Sequence, residues 1–322
     1  MQKTYILIFL LLSIPIPSLC DEINDWLFYD VKTQTTTEIT LPEDVTTNPI
    51  SAPNNLIEIT GTANKYQKPA VTLMFSQSEK ETPGIRKDYL CSGALVGQNI
   101  VLTAAHCTMD KKKMFVDNIE IFAPGVTDLP HAQSTKIIIP KQYETGIIVD
   151  SKEYKEYDYA FILLDTPLGE RLGYFGTKRY FIPRLLHKKI QILGRGKGTP
   201  IGTLWLSEGY IGTINLKFIG HNARATHGYS GSPIILADDP GNIIAINIWK
   251  LREKTKYPNG GLLITSTMEK MILQLRTHYK VYKEIENRLK QLDKKITDKI
   301  SVDTFVNGMN NKSYKLYHKP RS

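Results

Sequence analysis

The sequence predicts an all-β barrel or sandwich that ends in a long helix, and three observations carry that prediction. First, short apolar or β-branched runs separated by turn residues fill the middle of the chain: Ala70-Val71-Thr72-Leu73-Met74-Phe75, Ile100-Val101-Leu102, Ile119-Glu120-Ile121-Phe122, Ala160-Phe161-Ile162-Leu163-Leu164 and Ile190-Gln191-Ile192-Leu193. Runs of this length without a helical period read as strands. Second, Asp239-Pro240-Gly241-Asn242 separates the apolar stretches 233–236 and 243–248. Pro and Gly supply turn dihedrals directly, so a hairpin turning at 239–242 is predicted. Third, the period changes after Ser266, where Met268, Ile272, Leu275, Tyr279, Tyr282, Ile285, Leu289, Leu292 and Ile296 recur three or four residues apart. That is an amphipathic helix. Its first part is predicted to pack on the barrel. Beyond Lys280 the near-heptad spacing suits closure on the same domain or on another copy, and the short run favours the same domain.

The chain opens with Lys3 and an apolar run over residues 5–12 that fades through Pro15 and Pro17 into Ser18-Leu19-Cys20. This is the layout of a secretory signal peptide, expected to occupy residues 1–20 with cleavage after Cys20. A membrane anchor is the competing reading, but the run falls well short of the ~20 residues a spanning helix needs and is broken by two prolines. No later stretch is long and apolar enough to span a bilayer, so a secreted or secretory-pathway location is expected.

Removing Cys20 with the signal leaves Cys91 and Cys107, which are expected to form a disulfide. Two thiols without clustered histidines give no metal site, and no cofactor is expected. The formal net charge of +9 is unevenly spread. Residues 21–58 are acidic, Thr-rich and Pro-containing, and read as a pro-segment or linker rather than as core, which makes the chain a zymogen candidate. Residues 59–280 are expected to form the main domain. Residues 281–322 read as a basic amphipathic helix and disordered tail, able to attract anionic surfaces but more simply a solvated helix. No nucleic-acid partner is expected.

Three segments carry chemistry. Thr103-Ala104-Ala105-His106-Cys107 ends an apolar strand, and Cys91 opens the strand before it, so a disulfide would pin the loop that presents His106. An imidazole suits general-base work because its unperturbed pKa lies near ~6.5. Tyr157-Asp158-Tyr159 stands at the mouth of the strand 160–164. A carboxylate buried there needs a donor, and a histidine Nδ1–H is a suitable one. Asp158 also reads as a strand-initiating turn residue, with Asp150 and Asp165 as nearby rivals; Asp165 lies at the far end of the strand. Gly228-Tyr229-Ser230-Gly231-Ser232-Pro233 places a serine in a glycine-flanked turn that exposes its hydroxyl, with the Gly228 and Ser230 amides able to face a developing oxyanion.

In this order His, Asp, Ser, these segments resemble those of the trypsin-like and chymotrypsin-like serine peptidases. The resemblance implies two six-stranded antiparallel β-barrels with a C-terminal helix, and a catalytic triad of His106, Asp158 and Ser230 in the cleft. It also implies an oxyanion hole of Gly228 and Ser230, peptide or protein substrates, a Cys91–Cys107 bridge beside the catalytic histidine, and Trp249 as a substrate-binding tryptophan. Gly-Tyr-Ser-Gly-Ser-Pro and Thr203-Leu204-Trp205-Leu206-Ser207-Glu208-Gly209 are more similar to the bacterial glutamyl endopeptidase branch than to digestive trypsins. Two positions depart from the pattern. Asn247 stands where that branch has a histidine that receives substrate Glu, and Tyr229 stands where digestive relatives carry the Asp of their activation salt bridge. Ile59-Thr60-Gly61-Thr62 is the nearest candidate for a mature start.

The resemblance places the substrate pocket at Arg224, Ala225, Thr226, His227, Asn247, Trp249 and Lys250. None of these is anionic, so Glu or Asp before the scissile bond is expected to fit better than Lys or Arg. If Arg224 and Lys250 point to solvent, the alternative is a shallow pocket with mixed preference. A catalytically inactive homologue acting as a binding module is the competing function, and a chaperone-type protease lacks the peptide-binding module it would need after Leu275.

Overall fold

A computed structural model describes residues 25–40, 69–78, 86–109, 114–123, 132–146, 152–196, 203–250 and 255–299. The stretches read as a signal peptide, as the candidate mature start and as the tail after residue 299 lie outside the described residues.

The first sheet begins with β1 (Asp25–Asp30) and β2 (Thr35–Thr40), followed by β3 (Ala70–Ser78), β4 (Arg86–Gly97), β5 (Ile100–Thr103), β6 (Glu120–Phe122), β7 (Ala132–Pro140) and β8 (Ala160–Leu164). Strands β7-β6-β3-β4-β5-β8 are neighbours in that order, and a β7–β8 pairing closes them into a six-stranded barrel. All four residues of β5 are buried, as expected of a strand with partners on both edges and side chains in the barrel. Short helices α1 (Lys141–Gly146) and α2 (Leu168–Leu172) follow β7 and β8.

The second sheet comprises β9 (Gly176–Thr177), β10 (Lys189–Gly194), β11 (Trp205–Ile214), β12 (Phe218–His221), β13 (Pro233–Leu236), β14 (Asp239–Lys250) and β15 (Asn259–Leu263). Order β13-β10-β11-β12-β15-β14, with a β13–β14 pairing, closes a second six-stranded antiparallel barrel, and β9 adds to it in parallel with β14. Its interior is filled by Ile190, Ile192, Ile211, Ile219, Ile234, Leu236 and Ala245. The fold is therefore two antiparallel six-stranded β-barrels with a C-terminal helix.

Two local features differ from the sequence reading. The hairpin between β13 and β14 turns earlier than 239–242, because Leu236 already pairs with Asp239 and Ile235 with Ile243. Residues 240–242 bulge out between those pairs. Asp239 fixes the arrangement by accepting hydrogen bonds from Asn242 Nδ2 (2.8 Å), the Tyr180 hydroxyl (2.5 Å) and Lys178 Nζ (2.9 Å). Residues 25–40 are the other difference. Read as linker or pro-segment, they form a hairpin whose turn is held by the Asp30 carboxylate accepting the Lys32 and Thr33 amides, and whose first strand is core: Trp26, Leu27 and Tyr29 are buried.

Helix α3 (Ser266–Lys299) starts as the periodicity predicts. Met268, Met271 and Ile272 are buried, and the buried Glu269 carboxylate accepts from Arg179 Nε at 2.8 Å and from Thr177 Oγ1 at 3.3 Å. A separate unit begins at Gln274 and is helical to Lys299.

Candidate active site

His106 sits in a single 3-10 turn, Ala105–Cys107, directly after β5. Strand β5 ends in Thr103, whose hydroxyl donates to Ser92 O on β4 at 2.8 Å, and Cys107 is bonded to Cys91 on the same strand across a Cα–Cα distance of 6.1 Å. The turn is thus tied to β4 at both ends. Asp158 precedes β8, and its carboxylate engages His106 twice. Oδ1 accepts the His106 backbone N–H at 2.9 Å, and Oδ2 lies 2.7 Å from the ring Nδ1. The Asp158 side chain is 8% exposed and that of His106 36%, so the carboxylate is buried behind a ring whose other edge is open. Burial pushes the His106 pKa down, but the charge and the hydrogen bond of Asp158 outweigh it and hold the group above its ordinary 6.5. Of the rival acids, Asp165 is committed to the Gln133 backbone N–H at 2.9 Å, and Asp150 lies outside the described residues.

Ser230 lies in a turn before β13. The turn is closed by Tyr229 N–H to Thr226 O (3.1 Å) and Ser232 N–H to Tyr229 O (3.1 Å). Gly228 and Gly231 have φ of 100° and 79°, a region that favours glycine. Gly231 is also wedged against the histidine's strand: a Cβ there would lie 2.1 Å from Thr103 Oγ1, 2.3 Å from Ser92 O and 2.9 Å from Ala104 N. The Ser92 N–H donates to Ser230 O at 2.8 Å, and Cys107 Sγ lies 3.8 Å from that same oxygen. The serine turn of the second barrel is therefore packed onto the segment that carries His106. Among the described residues, the Ser230 hydroxyl has no hydrogen-bond partner, and neither the Gly228 nor the Ser230 N–H donates to the protein. Gly228 O accepts from Ser92 Oγ at 2.8 Å, which fixes the orientation of that peptide.

The pocket residues divide. Arg224 and His227 are exposed, Thr226 is half-buried and Ala225 is buried. Trp249 and Lys250 pair through their backbones with Gly260 and Asn259 on β15. Asn247 was expected on the pocket wall, yet it is 4% exposed and both ends of its amide are used internally. Its Nδ2 donates to Tyr229 O at 3.1 Å and its Oδ1 lies 3.2 Å from His221 Nε2. Its backbone adds two bonds to the same turn: Gly231 N–H to Asn247 O (2.7 Å) and Asn247 N–H to Ser232 O (2.9 Å).

His221 is the residue that the sequence reading missed, because one histidine ending the short apolar strand β12 gives no signal of a partner 26 residues away. It is fully buried, and burial pushes its pKa down to about 4, against the smaller upward pull of Asn247 and of the Ala223 backbone. Since Asn247 Nδ2 donates to Tyr229 O, its Oδ1 is the acceptor and His221 Nε2 carries the proton. The unfolded chain binds a proton at His221 below about 6.5, whereas the folded chain does so only below about 4. Stability is therefore expected to fall by about 3 kcal/mol as pH drops from 6.5 to 4, then to level off. Urea midpoints measured across this range should fall less steeply toward low pH in His221→Gln than in the wild type; the same slope in both would exclude His221 as a contributor.

A family model described as Trypsin matches residues 59–270. The chain belongs to the trypsin family of serine peptidases. Among curated proteins, the glutamyl endopeptidase of Bacillus licheniformis is 29% identical over 148 residues, covering 45% of this chain and 44% of the relative. The thrombin-like enzyme CPI-enzyme 2 of Gloydius ussuriensis is 25% identical over 145 residues, covering 45% of this chain and 52% of the relative. The chain thus spans about half the length of the curated relatives it matches. A solved glutamyl endopeptidase bound to MPD superposes with a TM-score of 0.54 at 19% identity, covering 68% of this chain and 96% of that one. That likeness shows the trypsin-family fold.

Proposed function

We propose that this trypsin-family chain is a secreted serine endopeptidase that uses His106, Asp158 and Ser230 as its triad. The observation that supports this most directly is the twofold engagement of His106 by Asp158, with the Ser230 turn wedged against residues 103–104. Asp158 fixes the proton on Nδ1, which leaves Nε2 on the open edge to accept a proton. His106 takes the Ser230 proton as Oγ attacks the peptide carbonyl. The Gly228 and Ser230 N–H groups, which have no acceptor in the described protein, hold the oxyanion of the tetrahedral intermediate. His106 then returns the proton to the leaving amine, and water repeats the sequence to release the acyl group from Ser230.

The Glu/Asp preference before the scissile bond is part of the same proposal. It is supported by the absence of a carboxylate at Arg224, Ala225, Thr226 and His227, and by the name of the Bacillus licheniformis relative. Asn247, with its amide bonded internally, contributes to the turn rather than offering a free donor.

His106 works as a base only when neutral. Because its pKa is raised, kcat/KM is expected to fall on the acid side with a limb above pH 6.5. Labelling with an organophosphorus serine reagent tests the reading. Stoichiometric modification of Ser230, with digestion of a random peptide mixture, is expected. An unmodified Ser230 would point to the inactive homologue, and dominant cutting after Arg or Lys would remove the acidic preference.

A further inference from the structure

The matched family domain begins at residue 59, yet the sheet that forms the first barrel is extended by a strand that precedes it. Strand β1 lies between β2 and β7, pairing with β7 from Trp26 opposite Pro140 to Asp30 opposite Lys136, and Val31 N–H donates to Thr135 O at 3.0 Å. Neighbouring residues of a strand point to opposite faces, and both faces of β1 are buried at Trp26, Leu27 and Tyr29. An appended arm would bury one face; β1 is an interior strand. The exposed strand is β2, whose Glu38 carboxylate pairs with Lys141. Tyr29 stacks on Phe115 with ring centroids 4.5 Å apart. Trp26, with no exposed surface, meets Tyr159 edge-on at 6.0 Å and Phe161 at 6.0 Å.

Tyr159 directly follows Asp158 in the chain, and Phe161 directly precedes the middle of β8. The indole therefore bears on the start of the strand that sets where the Asp158 carboxylate sits.

We infer that the hairpin Asp25–Thr40 is a permanent part of the first sheet, retained after any cleavage beyond Thr40, and that Trp26 is a positioning residue that holds Asp158 against His106 through Tyr159. A mature protein cut between 41 and 68 is then a two-chain molecule rather than one that has discarded residues 21–58. The first half of the inference needs no activity. The second rests on the proposed triad.

The two halves have separate tests. A single engineered protease site placed within 41–68 of the full chain is cut with its cognate protease, and the product is run on gel filtration in native buffer. Denaturing mass analysis of the eluted protein is expected to find the N-terminal fragment still bound in equal amount; its loss on the column would overturn retention. For Trp26, steady-state kinetics of Trp26→Ala and Trp26→Phe are compared with the wild type. Trp26→Ala is expected to lower kcat at least tenfold with KM within twofold. It should also move the acid limb of kcat/KM to lower pH, because a displaced Asp158 no longer raises His106. Trp26→Phe, keeping an aromatic ring, should restore most of kcat. A folded Trp26→Ala enzyme with unchanged kcat and limb would overturn the positioning role, as would a folded Trp26→Phe enzyme no better than a folded Trp26→Ala one. If Trp26→Ala does not fold, Trp26→Leu takes its place: a lowered kcat with an acid limb at lower pH supports the role of the ring, and a kcat and limb unchanged from the wild type overturn it. Absence of Ser230 labelling would remove the triad while leaving the gel-filtration result standing.

Discussion

Replacing Ser230 or His106 by Ala is expected to lower kcat by on the order of a million-fold, because members of such a triad act as a unit and either loss removes the shared step. The fold is expected to survive both changes. Ser230 is half-buried and its hydroxyl has no partner among the described residues, and the turn around it is closed by backbone bonds and Asn247 rather than by the serine side chain. The His106 ring is partly exposed, while the 3-10 turn itself is tied down by the Cys91–Cys107 bridge. Asp158→Asn is expected to cost about 10⁴ in kcat, since an amide in place of the carboxylate turns a donor toward either the His106 amide or its ring and disfavours the working tautomer. Kinetics on a peptide substrate, with circular dichroism to check folding, decide the matter. Full activity in Ser230→Ala would remove the mechanism. Full activity in Asp158→Asn would send the acid's role to Asp150, since Asp165 is already bound to the Gln133 backbone.

The segments that hold these residues were legible because each couples a chemical side chain to a local rule. A histidine follows a fully buried strand and adjoins a cysteine, an aspartate opens another strand, and a serine lies between glycines at positive φ. What was hidden depends on distant partners. Thr35–Thr40 is polar because β2 is an exposed edge, and it masks the four-residue apolar run Trp26-Leu27-Phe28-Tyr29 beside it, which is too short to announce core without β7. The turn at 239–242 was placed by its Pro and Gly, but the bonds from Tyr180 and Lys178 to Asp239 draw the tight turn forward and leave Pro240-Gly241 as a bulge. His221 and Asn247 meet across β12, β15 and β14, a contact set by barrel closure rather than by spacing along either strand. That same closure turns Asn247 toward the serine turn, so a position that the resemblance pairs with a specificity residue serves here to hold the backbone of the Ser230 turn.

Gly231→Ala is expected to be strongly damaging, because two independent costs coincide at one atom. With φ at 79° the backbone is in the left-handed region, where a Cβ costs about 1–2 kcal/mol. The same Cβ would stand 2.1 Å from Thr103 Oγ1 and 2.3 Å from Ser92 O. Thr103 can rotate away only by giving up its hydrogen bond to Ser92 O. Ser92 O cannot retreat so easily, because β4 is held between β3 and β5 and Ser92 itself donates to Ser230 O. The serine turn must therefore back away from the strand end that carries His106, at an overpacking cost of about 1–3 kcal/mol. Stability should fall by about 2–5 kcal/mol in total. A shift of about 1 Å between nucleophile and base should cost about a hundredfold in kcat in the molecules that still fold. Gly196→Ala provides the contrast: its Cβ would meet Thr226 Oγ1 at 2.5 Å, the end of a side chain that can rotate, and the edge of the Tyr229 ring at 3.0 Å, but no backbone atom, and no positive φ is involved. Urea denaturation and kcat measured on both variants should separate them clearly, with Gly196→Ala the milder in each. A Gly231→Ala enzyme as stable and as active as the wild type would show that the serine turn is not seated against the His106 strand in the working protein.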